Sequence, residues 1–268
     1  MITLDVPGGP IAALSAGDPD APTALLVPGF TGSKEEFAPI LEPLAAAGLR
    51  AVAIDLPGQY ESSRRNDYSV AALAADVHAA AAVLGKPVHL LGHSFGGYVA
   101  RAAVIAEPAR FASLTLLGSG PAGIDGRRRA LIEHLRPIQA EHGTAAVYEA
   151  LTELDAAAPG YVAPTPAHEA FLRKRFLAND PAGLLAMGTA VIEEPDRVDE
   201  LAATCVPLLV LTGVDDDAFP PDTQAEMAKR LGASYVEVPS AGHSPAVENP
   251  TATAAALISF WQRRELAR

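Results

Sequence analysis

Three short stretches hold the residue types that nucleophilic chemistry needs. The first is Gly92-His93-Ser94-Phe95-Gly96-Gly97, a Gly-x-Ser-x-Gly core. In the second, Gly213-Val214-Asp215-Asp216-Asp217-Ala218-Phe219-Pro220, three carboxylates follow an apolar run. The third is Ala241-Gly242-His243-Ser244, a histidine in a loop. A serine hydroxyl is a poor nucleophile until a base takes its proton, and an imidazole with a pKa of ~6.5 suits that task at neutral pH. A buried carboxylate completes the set by fixing the imidazole tautomer and stabilising the imidazolium. Each residue also has a plainer reading: Ser94 as a small turn residue, His243 as a solvated loop histidine.

The elements around these residues must position them. Val88 to Leu91 is an apolar run and Tyr98 to Ala106 an Ala-rich one, so Ser94 stands at a strand–turn–helix corner. Glycines flank it because a larger side chain would collide with the neighbouring strand or helix. The helix N-terminus aimed at Ser94 favours developing negative charge. Ile2 to Val6 and Ile11 to Ala16 read as short strands around a Pro-Gly-Gly-Pro turn. Thr23 to Val27, Arg50 to Ile54 and Leu114 to Leu117 read as buried strands. Ser33 is a candidate cap for a helix to about Ala47, and Ser69 for one to Leu84. Unbroken apolar runs separated by helices of about 12–16 residues argue for an α/β protein with a parallel sheet covered on both faces.

After Gly118-Ser119-Gly120-Pro121 the rhythm breaks. Helix-like pieces follow at Arg127 to Gln139, Thr144 to Leu154, Pro166 to Leu177 and Pro181 to Ile192, with no strand pattern among them. The expected organisation is a core formed by residues 1–121 and 195–268, with residues 122–194 inserted as a helical cap. The sheet resumes at Pro207 to Thr212, followed by a helix over Asp222 to Leu231, a strand over Tyr235 to Val238 and a last helix from about Pro250 to Arg264. Open parallel sheets bind ligands beyond the carboxyl ends of their strands. Ser94, the three aspartates and His243 all fall at such ends.

With 268 residues, 49% hydrophobic and 19% charged, the chain can bury a large core, which excludes disorder. A formal charge of −12 leaves no basic footprint for nucleic acid. No run approaches the roughly 18 apolar residues of a membrane span, and Met1 to Pro10 carries no leader pattern, so a cytoplasmic location is expected. Cys205 is the single cysteine; it has no internal disulfide partner, and it is expected to be a small core residue just before a buried strand. No Cys/His spacing points to a metal.

Taken together, the motifs Pro28-Gly29-Phe30, Asp55-Leu56-Pro57-Gly58, Gly92-His93-Ser94-Phe95-Gly96-Gly97, Gly213-Val214-Asp215-Asp216 and Gly242-His243 resemble those of the α/β-hydrolase superfamily, in its serine-nucleophile, cap-bearing branch. The match covers about Ala13 to Ser119 and Ala202 to Trp261. The resemblance implies a mostly parallel, doubly wound sheet with a helical cap, Ser94 as nucleophile and His243 as base. The family spacing Gly-x-x-Asp-x-x-x-Pro falls on Gly213, Asp216 and Pro220, so Asp216 is the implied acid, with Asp215 and Asp217 as alternatives. The resemblance also implies an oxyanion hole from the backbone N–H groups of Phe95 and Phe30. Two departures stand out. Many relatives have His where this chain has Pro28, which removes an N–H and a side-chain brace from the loop. Many have His-Gly after Asp-x-x-Gly, where this chain has Gln59-Tyr60; Tyr60 is expected to cover the loop or to stand near the pocket.

The implied activity is hydrolysis of a carboxylic ester or related small acyl compound, with no metal or organic cofactor. Carbon–carbon bond, lactone or thioester hydrolysis, perhydrolysis and aminopeptidase action would use the same groups, and a non-catalytic binding protein of this fold is a rival of another class. Serine at the corner disfavours chemistries that need a carboxylate nucleophile. His93 is expected to pack beside the corner. His78, His134, His142 and His168 are expected to be solvated, and Arg127-Arg128-Arg129 to be an exposed helix start. Leu151, Phe171, Phe176 and Met187 are expected either to line a substrate pocket or to bind the inserted helices together.

Overall fold

The structure is a computed structural model that describes residues 1–157 and 161–265. Eight strands form one sheet: β1 (Ile2–Leu4), β2 (Ile11–Ala16), β3 (Thr23–Val27), β4 (Arg50–Ile54), β5 (Val88–His93), β6 (Phe111–Leu117), β7 (Leu208–Gly213) and β8 (Ser234–Val238). Their order is β1-β2-β4-β3-β5-β6-β7-β8. The first two strands pair antiparallel and every pairing from β4 to β8 is parallel. The unbroken apolar runs arise because both faces are covered. In β3, Leu25 and Val27 enter one core while Ala24 and Leu26 enter the other, as the two-residue strand period requires.

Helices α1 (Ala38–Ala46), α2 (Val70–Leu84) and α3 (Phe95–Ala106) come from the first half of the chain. Residues 122–194 supply α4 (Gly126–Ala156), α5 (Pro166–Ala178) and α6 (Pro181–Glu193). The second half adds α7 (Val198–Ala202), α8 (Pro221–Leu231), α9 (Pro245–Glu248) and α10 (Pro250–Glu265). One face of the sheet is covered by α2, α3 and α8 through residues such as Leu73, Val99 and Met227. The other is covered by α1 and α10 through Ile40, Leu44, Leu257 and Trp261. Helix α4 is two helical pieces joined at Gly143, whose φ of 80° and ψ of 178° break the helix between the segments expected at Arg127 to Gln139 and Thr144 to Leu154. Among the described residues no helix is long and apolar enough to cross a membrane.

Three sequence expectations need correction. Ser69 caps α2 by accepting from the Ala72 N–H, but Ser33 makes no such bond. The Lys34 N–H is taken instead by Asp55 Oδ1 at 2.7 Å, so the carboxylate beyond β4 caps a 3-10 turn (Lys34–Phe37) that leads into α1. Cys205 is exposed, not a core residue. It lies in the turn before β7 with φ of 57°, outside the sheet layers. His78 is not a solvated histidine: its Nε2 lies 2.8 Å from the Ala103 carbonyl because α2 packs along α3.

The two ends of the stretch from Pro121 to Glu194 are held together by one buried side chain. Arg101 on α3 donates to the Pro121 carbonyl at 2.6 Å and to Glu194 Oε1 at 3.1 Å. The Gly123 N–H donates to the Glu194 carbonyl at 2.8 Å. Arg101 and Glu194 side chains are 2% and 7% exposed, so each compensates the other's desolvation. Replacing Arg101 with Met leaves Glu194 buried without its counter-charge, and urea unfolding should show a loss of about 3–5 kcal/mol. A loss below about 1 kcal/mol would show that Glu194 reaches water or another partner.

Candidate active site

Strand β5 ends at His93 and α3 begins at Phe95, so Ser94 stands alone at the corner with φ of 52° and ψ of −118°. Holding a non-glycine residue there costs about 1–3 kcal/mol, which the packing on both sides must impose. The glycines are that packing. A Cβ on Gly92 would run into the Gly96 carbonyl, and one on Gly96 into the carbonyls of Val27 and Pro28. The turn is therefore pressed between its own helix and the end of β3, and the serine hydroxyl is left to point away from them.

The parallel register carries the other groups to the same edge. His243 follows β8 and Asp216 follows β7. The Ser94 Oγ donates to His243 Nε2 at 3.0 Å, and His243 Nδ1 donates to Asp216 Oδ1 at 3.0 Å. The Nδ1–H bond leaves the Nε2 lone pair facing the hydroxyl, the tautomer a base requires. Strand β6 lies between β5 and β7, and it is followed at once by Gly118, where a Cβ would press on the His243 carbonyl and on Asp216 Oδ2. A carboxylate at that position would have no room beside the pair.

Asp216 is 4% exposed, yet its pKa is held below the ordinary aspartate value. Burial pushes it up, but His243 and the N–H groups of Phe219 (3.0 Å) and Ala218 (2.9 Å) outweigh burial, and Gln224 Nε2 also donates to the carboxylate at 3.0 Å. Asp215 and Asp217 are exposed, and Asp217 pairs with Arg128 at 2.6 Å. The His243 pKa moves the other way from a salt-bridged histidine. Burial lowers it, the bond to Asp216 opposes that, and the nearby positive charges of His93 and Arg128 lower it further.

The N–H groups of Phe30 and Phe95 donate to no acceptor among the described residues. Phe95 opens α3, where a first-turn amide has no intrahelical partner. Phe30 lies in the loop after β3. Its neighbour Gly29 is fixed from both sides: the N–H by Glu36 Oε1 at 3.3 Å, the carbonyl by Gln59 Nε2 at 2.9 Å. An open pocket of about 410 Å³ adjoins this loop, walled by Phe30, Ile132, Leu135, Leu151, Phe176 and Leu184. Met187, by contrast, is buried in the main core, and Phe171 makes an edge contact with Tyr60 at 6.0 Å. Tyr60 thus covers the loop and meets α5. His93 packs beside the corner, while His134, His142 and His168 are exposed, as expected.

The family model for the alpha/beta hydrolase family matches residues 24–256. The chain belongs to the alpha/beta hydrolase family. The thermophilic esterase of Thermogutta terrifontis, solved with malate bound, is 27% identical and superposes with a TM-score of 0.79 over 98% of each chain. The pimeloyl-[acyl-carrier protein] methyl ester esterase of Aeromonas salmonicida is 29% identical over 76% of this alpha/beta hydrolase and 82% of that protein. The 2-hydroxy-6-oxononadienedioate/2-hydroxy-6-oxononatrienedioate hydrolase 2 of Pseudomonas putida is 39% identical over 103 residues, and the match spans about a third of each chain, 36% of this one and 34% of that one.

Sequence reading missed the residues that brace the site. Gln224 joins Asp216 to Thr212 (2.6 Å) and to the Phe219 carbonyl (2.7 Å). Glu248 accepts from the amides on both sides of His243, those of Gly242 and Ser244. Glu36 serves the Phe30 loop. A buried glutamine and two glutamates on short helical turns carry no sequence signal of their own; only Glu248, five residues after His243, was close enough to suggest a role. The corner itself is testable. Gly96→Ala drives a Cβ into two backbone carbonyls, and denaturant unfolding should show a loss of about 1–3 kcal/mol. Unchanged stability would mean that the end of β3 yields.

Proposed function

We propose that this alpha/beta hydrolase is a serine hydrolase that cleaves a carboxylic ester or a related acyl compound through an acyl-enzyme. The observation that carries the reading is the unbroken relay from Ser94 through His243 to the ionised Asp216, at 3.0 Å per link. His243 Nε2 takes the Ser94 proton as Oγ attacks the carbonyl carbon. Asp216 keeps the ring oriented and stabilises the imidazolium that forms. The unclaimed N–H groups of Phe95 and Phe30 are the donors for the tetrahedral oxyanion, and the N-terminal end of α3 adds its partial positive charge. The imidazolium then gives its proton to the departing alkoxide. A water activated by His243 attacks the acyl group, and the acid leaves with Ser94 restored.

Residues 122–194 act as the cap in this reading. The pocket they share with Phe30 is walled almost entirely by hydrocarbon, which suits an apolar acyl chain, and Leu151 and Phe176 help to set its length. The two esterases among the relatives support the ester reading. A second reading, hydrolysis of a carbon–carbon bond, draws on the Pseudomonas putida relative, whose named substrates are oxo-acids without an ester linkage. A panel of short p-nitrophenyl esters against a 2-hydroxy-6-oxo dienoate separates the two.

Replacing Ser94 with Ala should lower kcat/KM on the best ester by about 10³-fold or more and abolish labelling by a fluorophosphonate probe. Full retained activity, or labelling elsewhere, would end this reading; wild-type protein that neither turns over nor labels would favour a binding protein. The pH profile gives an independent check. The base must be neutral, and burial lowers the His243 pKa, so the acid limb of kcat/KM should have its midpoint below ~6.5. A midpoint clearly above that value would assign the limb to another group.

A further inference from the structure

His93 has two acceptors and no donor around its ring. Nδ1 lies 3.0 Å from Glu36 Oε1, and Nε2 lies 2.8 Å from the His243 carbonyl oxygen. The carbonyl has no proton to give, and Glu36 Oε1 already accepts from the Gly29 N–H. A neutral imidazole has one N–H and one lone pair. In that form one of the two bonds would become a lone pair pressed against an oxygen. With Glu36 ionised, only the doubly protonated ring satisfies both.

We propose that Glu36 and His93 form a buried ion pair whose two ends position the base His243 and the loop that carries Phe30. The proposal rests on His243 being the base of the reaction described above. At one end, the His93 ring fixes the main chain of His243. At the other, Glu36 fixes Gly29, where any added side chain would press on the His93 ring and the Ser94 Cβ. The pair therefore braces the loop at the Gly29 N–H, with Gln59 holding the Gly29 carbonyl from the opposite side. Side-chain exposures of 9% for His93 and 13% for Glu36 leave little water to screen them.

The surrounding charges agree with this assignment. His93 faces Glu36, His243 and Asp216; burial alone would lower its pKa, and Glu36 reverses that and raises it. Arg175 on α5 is the cation on the Glu36 side, with Glu35 beside it, and Arg128 on α4 is the other cation near His243. The ring centroids of His93 and His243 are 5.1 Å apart. A cation at that distance disfavours a second proton on His243, so the pair keeps the base in its neutral form as well as in its place.

The test begins with nitrogen chemical shifts of histidine-labelled wild-type protein at neutral pH. His93 should show two protonated ring nitrogens; one unprotonated nitrogen overturns the proposal. This readout needs no turnover, so a charged His93 in a protein inactive on every ester would count against the hydrolase reading and leave the ion pair standing. Glu36→Gln keeps an oxygen acceptor and removes the charge. Its His93 should become neutral, and kcat on a short p-nitrophenyl ester should fall by about tenfold or more with little change in KM. Its acid limb should move up by about one pH unit, the size expected for unit charges about 5 Å apart at an effective dielectric between that of water and ~20. Glu36→Asp, which retains the charge, should keep the limb near its wild-type position even where kcat falls. A Glu36→Gln limb that stays in place, or a Glu36→Asp limb that moves as far, overturns the proposal. If Glu36→Gln does not fold, the wild-type shifts and the Glu36→Asp profile still decide it.

Discussion

A carboxylate removed from water must be surrounded by donors or lose its charge, and Asp216 meets that constraint for the whole site. Two backbone amides of its own loop, a buried glutamine from α8 and the imidazole of His243 converge on it. Three of these donors are fixed by the turn and helix that follow β7, so the carboxylate is oriented by its own loop, and His243 supplies the largest share of what holds it ionised against burial. Its Nδ1 is committed to Asp216, which fixes the free lone pair on Nε2 and aims it at Ser94. Remove the donors and the same aspartate would take up a proton and release the ring.

The sheet makes this convergence possible. Parallel strands end on one side, and β5, β6, β7 and β8 lie next to one another, so groups far apart in the chain reach a common edge. The middle strand contributes by what it omits: Gly118 leaves the space that the His243–Asp216 pair fills. The elbow works by the same steric logic. Gly92 and Gly96 let β3 and α3 close on the turn, and that closure holds Ser94 in a backbone conformation it would not adopt alone.

Much of this is legible from the sequence because it is governed by local rules. The unbroken apolar strands, the Ser69 cap, the break near Gly143 and the glycines around Ser94 each follow from the preferences of a few neighbouring residues. Where a choice depended on a distant partner, the sequence misled. Ser33 has the right type and place for a cap, but Asp55, 21 residues beyond Lys34, supplies the oxygen. His78 is a polar residue on an Ala-rich helix, and α3 covers it. Cys205 borders a buried strand but falls in the turn outside it. The braces at the site, Glu36, Gln59, Gln224 and Glu248, are polar residues of ordinary type whose importance lies wholly in where folding puts them.

By itself the sequence determined the α/β architecture and the strand ends where Ser94 and His243 fall, because periodicity and glycine spacing are properties of short segments. Only the tertiary structure decided which of three consecutive aspartates meets the imidazole, since Asp215 and Asp217 differ from Asp216 in direction and not in type. It also decided the tautomer of His243, the two acceptors on His93 and the apolar pocket between the Phe30 loop and the inserted helices. Hydrogen-bond direction, desolvation and enclosed volume depend on atoms from several elements meeting within a few ångströms, and no stretch of chain encodes that alone.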